Sequence, residues 1–511
     1  MRTLSSYLQD SWVQGSDDGR QLFDAVTEEP VAVASTAGLD LGAALAHLRR
    51  IGGPALRGMT FAERGEALKG MSKVIHGHRD ELIELAQINS GNTRSDAKFD
   101  IDGGMGTLAY YGGVGRSMGD AKWLLDGDQE PILRSKRMVG QHLWLPRRGT
   151  AIHINAFNFP VWGMCEKLAV SMLAGVPAMV KPATATALVS VRLVELWVEA
   201  GVIPAGSLAL LTGSVGDLLD HVGAQDVVTF TGSGDTGRKI KTHPAVVRHN
   251  VPVNIEADSL NAAVLGPDVE LDSDTFQMFL ADVSRDITQK AGQKCTAIRR
   301  VLVPADRLDD VVEALGERLG DAGVGDPRQR VNRVGPLATA SQKRDILAGI
   351  ASLEAVCPRV WGDPTAVPDG GYYVAPQLFL AEGGVDAPYV HEHEVFGPVA
   401  AILPWSGSAS EAVDIIAAGG GGLVASVYTD DVDWGGEVVL GIAPWSGRVM
   451  WGSRKVHDQG AGPGTVLPGF VHGGPGKAGG GEELGGERGL RFYWQRTALQ
   501  GDRGLLQRIL R

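Results

Sequence analysis

The chain has 511 residues, beyond the size at which one hydrophobic core keeps growing, so two or three structural units are expected. A formal net charge of −12, with 44% hydrophobic and 21% charged residues, excludes a disordered chain and a broad nucleic-acid binder, while leaving room for a local phosphate pocket. Three cysteines (Cys165, Cys295, Cys357) without a CxxC pair exclude a disulfide framework and a cysteine zinc site. Glycine, at 70 residues, shows no three-residue period and points to tight turns rather than collagen.

The N-terminal MRTLSSYLQDSWVQG lacks the apolar run of a signal peptide, and no stretch of about 18 uninterrupted apolar residues occurs. A cytoplasmic protein without a membrane partner is the expectation. Residues 60–120 carry apolar positions at three- and four-residue spacing, broken by glycine, and read as helices. The segment 120–146 mixes polar and apolar residues in the manner of an exposed β arm. From about 148 the texture becomes strand–helix alternation: GTAIHIN, EKLAVSMLAGV, PAMVKP, ALVSVRLVELWVEAG, SLALLTG and DVVTFTG, then a helix near Asp235. Short apolar strands between helices imply parallel βαβ units in a doubly wound α/β layer. A second α/β texture follows residue 258, with RVLVP and VAAILPW as strands and LDDVVEALGERLGDAG as an amphipathic helix. The end of the chain is glycine-rich, then runs on through GLRFYWQRTALQG.

Five short segments could carry chemistry. In Gly292-Gln293-Lys294-Cys295-Thr296-Ala297, loop amides and a nearby cation would favour the thiolate of Cys295; the plainer alternative is a buried, inert cysteine. Thr231-Gly232-Ser233-Gly234-Asp235-Thr236-Gly237 matches GxGxxG between a strand and a helix, which points backbone N–H groups at a phosphate. Glu256, on the strand VPVNIEA, stands where such folds place a ribose ligand, but would serve equally as a general base or as a solvated strand end. Ala156-Phe157-Asn158-Phe159-Pro160 could aim the Asn158 amide at a developing oxyanion, or could simply make a turn. Lys181-Pro182-Ala183-Thr184 ends a strand with a lysine able to reach a ribose or phosphate, or to face solvent. His391-Glu392-His393 has no HExxH spacing, so no metal is expected, and the GxSxG elbow of serine hydrolases is missing.

The order and spacing of these segments resemble the aldehyde dehydrogenase superfamily over nearly the whole chain. The Pro-Trp-Asn-Phe-Pro motif is similar to residues 156–160, Lys-Pro-Ala is Lys181–Ala183, and Phe-Thr-Gly-Ser is Phe230–Ser233. The cysteine loop is Gly292–Cys295, and Glu-x-Phe-Gly-Pro is Glu394–Pro398. The resemblance implies a Rossmann-type cofactor domain (1–119 and 147–257), a second α/β catalytic domain (258–480), and a small β oligomerisation arm and tail (120–146 and 481–511). It implies Cys295 as nucleophile, forming a thiohemiacetal and then a thioester, with Asn158 in the oxyanion hole. It also makes Glu256 the general base, although the Glu-Leu-Gly-Gly-type strand end reads Glu256-Ala257-Asp258-Ser259 here. Relatives that pass the acyl group to coenzyme A commonly lack that carboxylate, so hydrolytic release is expected.

The cofactor residues implied are Ala156, Phe157, Lys181, Pro182, Ala183, Thr184, Thr231, Gly232, Ser233, Gly237, Glu394 and Phe396. Many NAD-specific relatives carry a glutamate after Lys-Pro-Ala that would repel a 2′-phosphate. Thr184 stands there, so NADP is expected to be preferred or at least accepted, with NAD as the alternative. AFNFP, NIEADS and KPATAT are most similar to a branch containing the aldehyde dehydrogenase part of the phenylacetate ring-opening (oxepin-CoA pathway) proteins and 3,4-dehydroadipyl-CoA semialdehyde dehydrogenase. That implies a small-molecule aldehyde, here a semialdehyde on a CoA thioester, and a homodimer or dimer of dimers without nucleic acid. A free aldehyde is the alternative substrate. The rival from another class, a cysteine thioesterase or hydrolase, gives no reason for the Lys181–Thr184 and Glu394–Phe396 segments.

Overall fold

A computed structural model describes residues 1–510. Two seven-stranded sheets dominate. The first runs, edge to edge, Val253–Glu256, Val227–Thr231, Ala151–Ile154, Ala178–Lys181, Leu208–Leu210, Ser6–Leu8 and Ser11–Val13. Its first five strands are parallel and the two N-terminal ones antiparallel. Successive residues of one strand enter different cores: Ala151 packs with the helices Trp162–Ala174 and Ala187–Glu199, and Ile152 with Leu41–His47 and Gly234–Lys241. Burial on both faces explains the unbroken apolar runs of these strands.

Strand order reverses at Ala151–Ile154. The chain steps outward on one side to Ala178–Lys181 and Leu208–Leu210, then returns to the other side with Val227–Thr231. Such a switch point opens a crevice at the carboxyl ends of the two flanking strands. Those ends carry residues 155–158 and 231–233.

The second sheet runs Arg359–Trp361, Gln377–Leu380, Val399–Trp405, Ile298–Pro304, Asn261–Leu265, Gly422–Tyr428 and Ser446–Gly452, all parallel except the first. It too is covered on both faces. A three-stranded antiparallel arm joins Leu124–Pro131, Met138–Pro146 and Trp494–Asp502. The expected helices between 60 and 120 are Phe61–Gly77, Arg79–Ser90 and Arg94–Met118. Thr60 and Glu63 form a capping box at the first, and Thr93 caps the third.

Two features were not foreseen. The first 34 residues contribute five short strands. The segment after 480 is also divided. Gly481–Leu484 pairs with Val471–Gly474, and Leu490, Tyr493 and Trp494 enter the core of the first domain before the chain reaches the arm. No helix among the described residues is long and apolar enough to cross a membrane.

Candidate active site

Cys295 sits on the loop between the helix Asp274–Thr288 and the strand Ile298–Pro304. Ahead of it Lys290, Ala291 and Gly292 are all left-handed, with φ of 54°, 51° and 70°. Side chains pay for that conformation in steric strain, so something must hold the loop. Arg299 does so: its Nη2 donates to the carbonyls of Gly292 and Lys294, its Nη1 to that of Gly397, and its Nε to Glu394 at 3.1 Å. Asn261 adds a second anchor, its amide donating to the carbonyls of Cys295 and Ala297 at 2.8 and 2.9 Å.

Lys294 is not the cation expected beside the thiol. The Lys294 ammonium turns away into an ion pair with Asp286 at 2.6 Å and a bond to Gln289. Burial instead pushes the Cys295 thiol well up, and the Glu256 carboxylate pushes it the same way. Both effects disfavour the charged form of the thiol.

Glu256 ends the strand Val253–Glu256 and lies in register beside Thr231. It is 2% exposed, and its Oε2 is 3.0 Å from Nε2 of His472, itself buried. Oε1 has no partner among the described residues. A sulfur of Cys295, a carboxylate oxygen of Glu256 and a ring nitrogen of His472 all lie within 4.8 Å of one another. Burial opposes the charge on Glu256, but His472 and then Lys167 outweigh it and hold the carboxyl at about 2.

Behind this pair lies a buried charge cluster that sequence reasoning missed. Lys167 donates to Thr231 Oγ1 at 2.7 Å and to Glu483 at 2.9 Å, and is 3.3 Å from Glu166. Burial works against the ammonium, yet Glu483, Glu166 and Glu256 together raise its pKa. Burial lifts the Glu166 carboxyl to about 7 against the opposing pull of Lys167. Buried charges persist only when paired in this way. Glu166-Lys167 inside the otherwise apolar helix WGMCEKLAVSMLA was the available signal.

Asn158 is buried, with one amide N–H donating to the Gln293 carbonyl at 3.0 Å. The bond ties the side chain to the cysteine loop and leaves its second N–H free to donate elsewhere.

Two cavities meet here. One is a chamber of about 480 Å³ walled by Phe99, Phe159 and Trp162, whose rings stack edge to face at 5.0–6.1 Å, and by Val466. The other is a cleft of about 2380 Å³ along the carboxyl ends of the first sheet. Asn158, Thr231, Glu256 and Cys295 line both. A group bound in the cleft and a carbonyl in the chamber would therefore reach the same sulfur.

The cleft fits a dinucleotide. Ala156, Phe157, Ala183, Thr231, Gly232, Ser233, Gly237, Glu394 and Phe396 form its wall. Phe157 and Phe396 face each other edge to face at 5.9 Å. Ser233 caps the helix Gly234–Lys241, whose N-terminus opens onto the cleft, although Asp258 already accepts from the Gly234 N–H. Lys181, Pro182 and Thr184 lie outside that wall. The Thr184 hydroxyl donates to the Gly213 carbonyl at 2.7 Å, and burial, then the nearby Arg20, lowers Lys181 to about 8.

Residues 12–499 match the aldehyde dehydrogenase family. The chain belongs to that family. This aldehyde dehydrogenase is 41% identical to 3,4-dehydroadipyl-CoA semialdehyde dehydrogenase of Aromatoleum evansii over 92% of this chain and 93% of that protein. It is 29% identical to alpha-ketoglutaric semialdehyde dehydrogenase of Bacillus subtilis, over 74% and 75% of the two chains. An NAD-dependent aldehyde dehydrogenase from Sinorhizobium meliloti superposes with a TM-score of 0.85 at 23% identity, covering 99% of this chain and 96% of that one. A betaine aldehyde dehydrogenase from Staphylococcus aureus, solved with NAD+, superposes at 0.84 and 21% identity, covering 98% of both chains. The mixed α/β fold of the family is thereby established, and with it the oxidation of an aldehyde.

Proposed function

We propose that this enzyme oxidises a semialdehyde carried on a CoA thioester to the free acid, by hydrolysis of an enzyme thioester and with NADP preferred. The observation that carries the reading is the position of Cys295, with Glu256 and Asn158, where the aromatic chamber meets the cofactor cleft. Similarity to a CoA-semialdehyde dehydrogenase supports the substrate class. A narrow aromatic chamber suits the aliphatic end of such a molecule, leaving its bulky nucleotide outside.

Cys295, once deprotonated, attacks the aldehyde carbon and forms a thiohemiacetal. The Asn158 amide and the Cys295 backbone N–H stabilise the oxyanion. When bound, the nicotinamide supplies the hydride acceptor; Glu394, Phe396 and Phe157 would hold its ring and ribose, and residues 231–237 its phosphates. Glu256 then takes a proton from water, whose oxygen attacks the thioester carbon; the carbon–sulfur bond breaks, and the acid leaves with Cys295 restored.

Thr184 in place of a carboxylate supports NADP, because that position carries no fixed negative charge to repel a 2′-phosphate. A spectrophotometric screen of CoA-linked and free semialdehydes, with NAD and NADP in parallel and no added coenzyme A, tests the whole reading. Turnover is expected with the CoA-linked substrates and NADP. Faster turnover of free aldehydes, a requirement for added coenzyme A, or acid formation without nicotinamide reduction would each overturn it.

A further inference from the structure

His472 stands on the strand Val471–Gly474, opposite Glu483 in the antiparallel pairing, and is 2% exposed. Its Nε2 meets Glu256 Oε2 at 3.0 Å, while Nδ1 has no partner among the described residues. An imidazole wholly removed from water loses its hydration, and here its one polar contact is the general base. An apolar ring would fill the same space more favourably. The contact therefore calls for a role beyond packing.

We propose that His472 is a positioning residue that sets the base strength of Glu256, so that hydrolysis of the thioester switches on as His472 loses its proton. The proposal rests on the hydrolytic reading given above. Its geometry is simple: Oε2 is held by His472 and Thr231, which leaves Oε1, unpartnered, to meet water at a carboxylate that lies close to the Cys295 sulfur. While His472 is charged, Glu256 is pinned as a weak base by the adjacent cation. Once His472 is neutral, the same hydrogen bond still orients the carboxylate, but the cation no longer weakens it. The proton then passes from water to Oε1, the water oxygen bonds to the thioester carbon, and the sulfur leaves with the bonding pair and is reprotonated by Glu256.

Every charged neighbour of the ring is accounted for. Glu256 comes from the adjacent strand of the first sheet, Glu166 and Lys167 from the helix Trp162–Ala174, and Glu483 from the paired strand. Arg448 comes from the strand Ser446–Gly452, and Cys295 from its loop. Burial and Arg448 disfavour the imidazolium, but Glu256 and Glu166 prevail and raise its pKa above the usual 6.5. The acid limb of hydrolysis is therefore expected above the ordinary imidazole range.

The test compares the burst of reduced nicotinamide with steady turnover, across pH, in the wild type, His472→Gln and His472→Phe. An amide retains the hydrogen bond without the proton, and the phenyl ring retains neither. Both variants are expected to displace the acid limb of steady turnover by about one unit or more. His472→Phe should also lower the steady rate relative to the burst by roughly tenfold or more, with partial recovery in His472→Gln. A limb that stays in place in either folded variant overturns the proposal. If neither variant folds, a wild-type limb in the ordinary carboxylate range overturns it equally. Failure of the hydrolytic reading looks different: the wild type itself would then show no burst, or no turnover without coenzyme A.

Discussion

Gly292 approaches Gly397 so closely that a Cβ on the first would lie 2.1 Å from the carbonyl oxygen of the second. The contact locks the nucleophile loop to the segment bearing Glu394 and Phe396, and Arg299 clamps both. Gly292 is also left-handed, at φ 70°. Gly292→Ala should therefore lower the melting temperature and remove the burst of reduced nicotinamide, since strain and a backbone clash act together. Full burst amplitude from a normally stable Gly292→Ala enzyme would contradict the lock.

Removal of the nucleophile and of the base should have different kinetic signatures. Cys295→Ala is expected to abolish aldehyde oxidation altogether. Glu256→Gln should give one stoichiometric burst of reduced nicotinamide and then stall, because acylation is retained and hydrolysis is lost. Stopped-flow absorbance separates the two, and steady turnover by either variant refutes its assigned role.

Asn158 is held with one amide N–H on the Gln293 carbonyl and the other free for an oxyanion. Asn158→Ala should lower kcat by roughly 10²–10³-fold, the usual consequence of losing one such donor. A rise in KM alone, with kcat unchanged, would assign Asn158 to binding through the loop rather than to the transition state.

Cofactor choice is testable at one position. Thr184→Glu would set a carboxylate beside the adenosine ribose, and should shift kcat/KM from NADP toward NAD by about tenfold or more. Equal effects on both cofactors would show that Thr184 does not face the 2′-phosphate.

Glu256 and His472 tie stability to pH in opposite senses. The carboxyl, depressed from 4.5 to about 2, contributes fully above about 4.5 and loses that contribution as pH falls toward 2. The imidazole, raised from 6.5, contributes fully below 6.5 and loses it as pH rises through the folded value. The difference in Tm between the wild type and His472→Phe should therefore be most favourable to the wild type between about pH 4.5 and 6.5. Above that window the difference should turn steadily against it. A difference that is flat from pH 5 to pH 9 would show that the pair does not titrate on unfolding.

The five parallel strands of the first sheet were legible because each is largely buried and reads as a short apolar run in the strand–helix alternation. The five N-terminal strands were not, since each is only three to five residues long, too short for a two-residue alternation to show. Their partners lie elsewhere in the chain: Tyr7 pairs with Leu210. Among the site residues, Cys295, Glu256 and Asn158 were visible through local motifs in a recognisable order. Lys294 was misread for a physical reason: adjacency in sequence does not set the direction of a loop side chain, and Asp286 offered its ammonium a buried partner.

The sequence alone determined a doubly wound α/β fold, because burial pattern and turn chemistry are local properties of the chain, and the order of its motifs singled out a candidate nucleophile and a candidate base. Only the tertiary structure decided what surrounds them. Arg299 clamping two motifs, Lys167 held between Glu166 and Glu483, and His472 set against Glu256 are hydrogen-bond relationships between segments far apart in the chain. Nothing in the spacing of residues encodes such contacts. They exist because the fold brings several buried charges to one point, where each must find a partner or lose its charge.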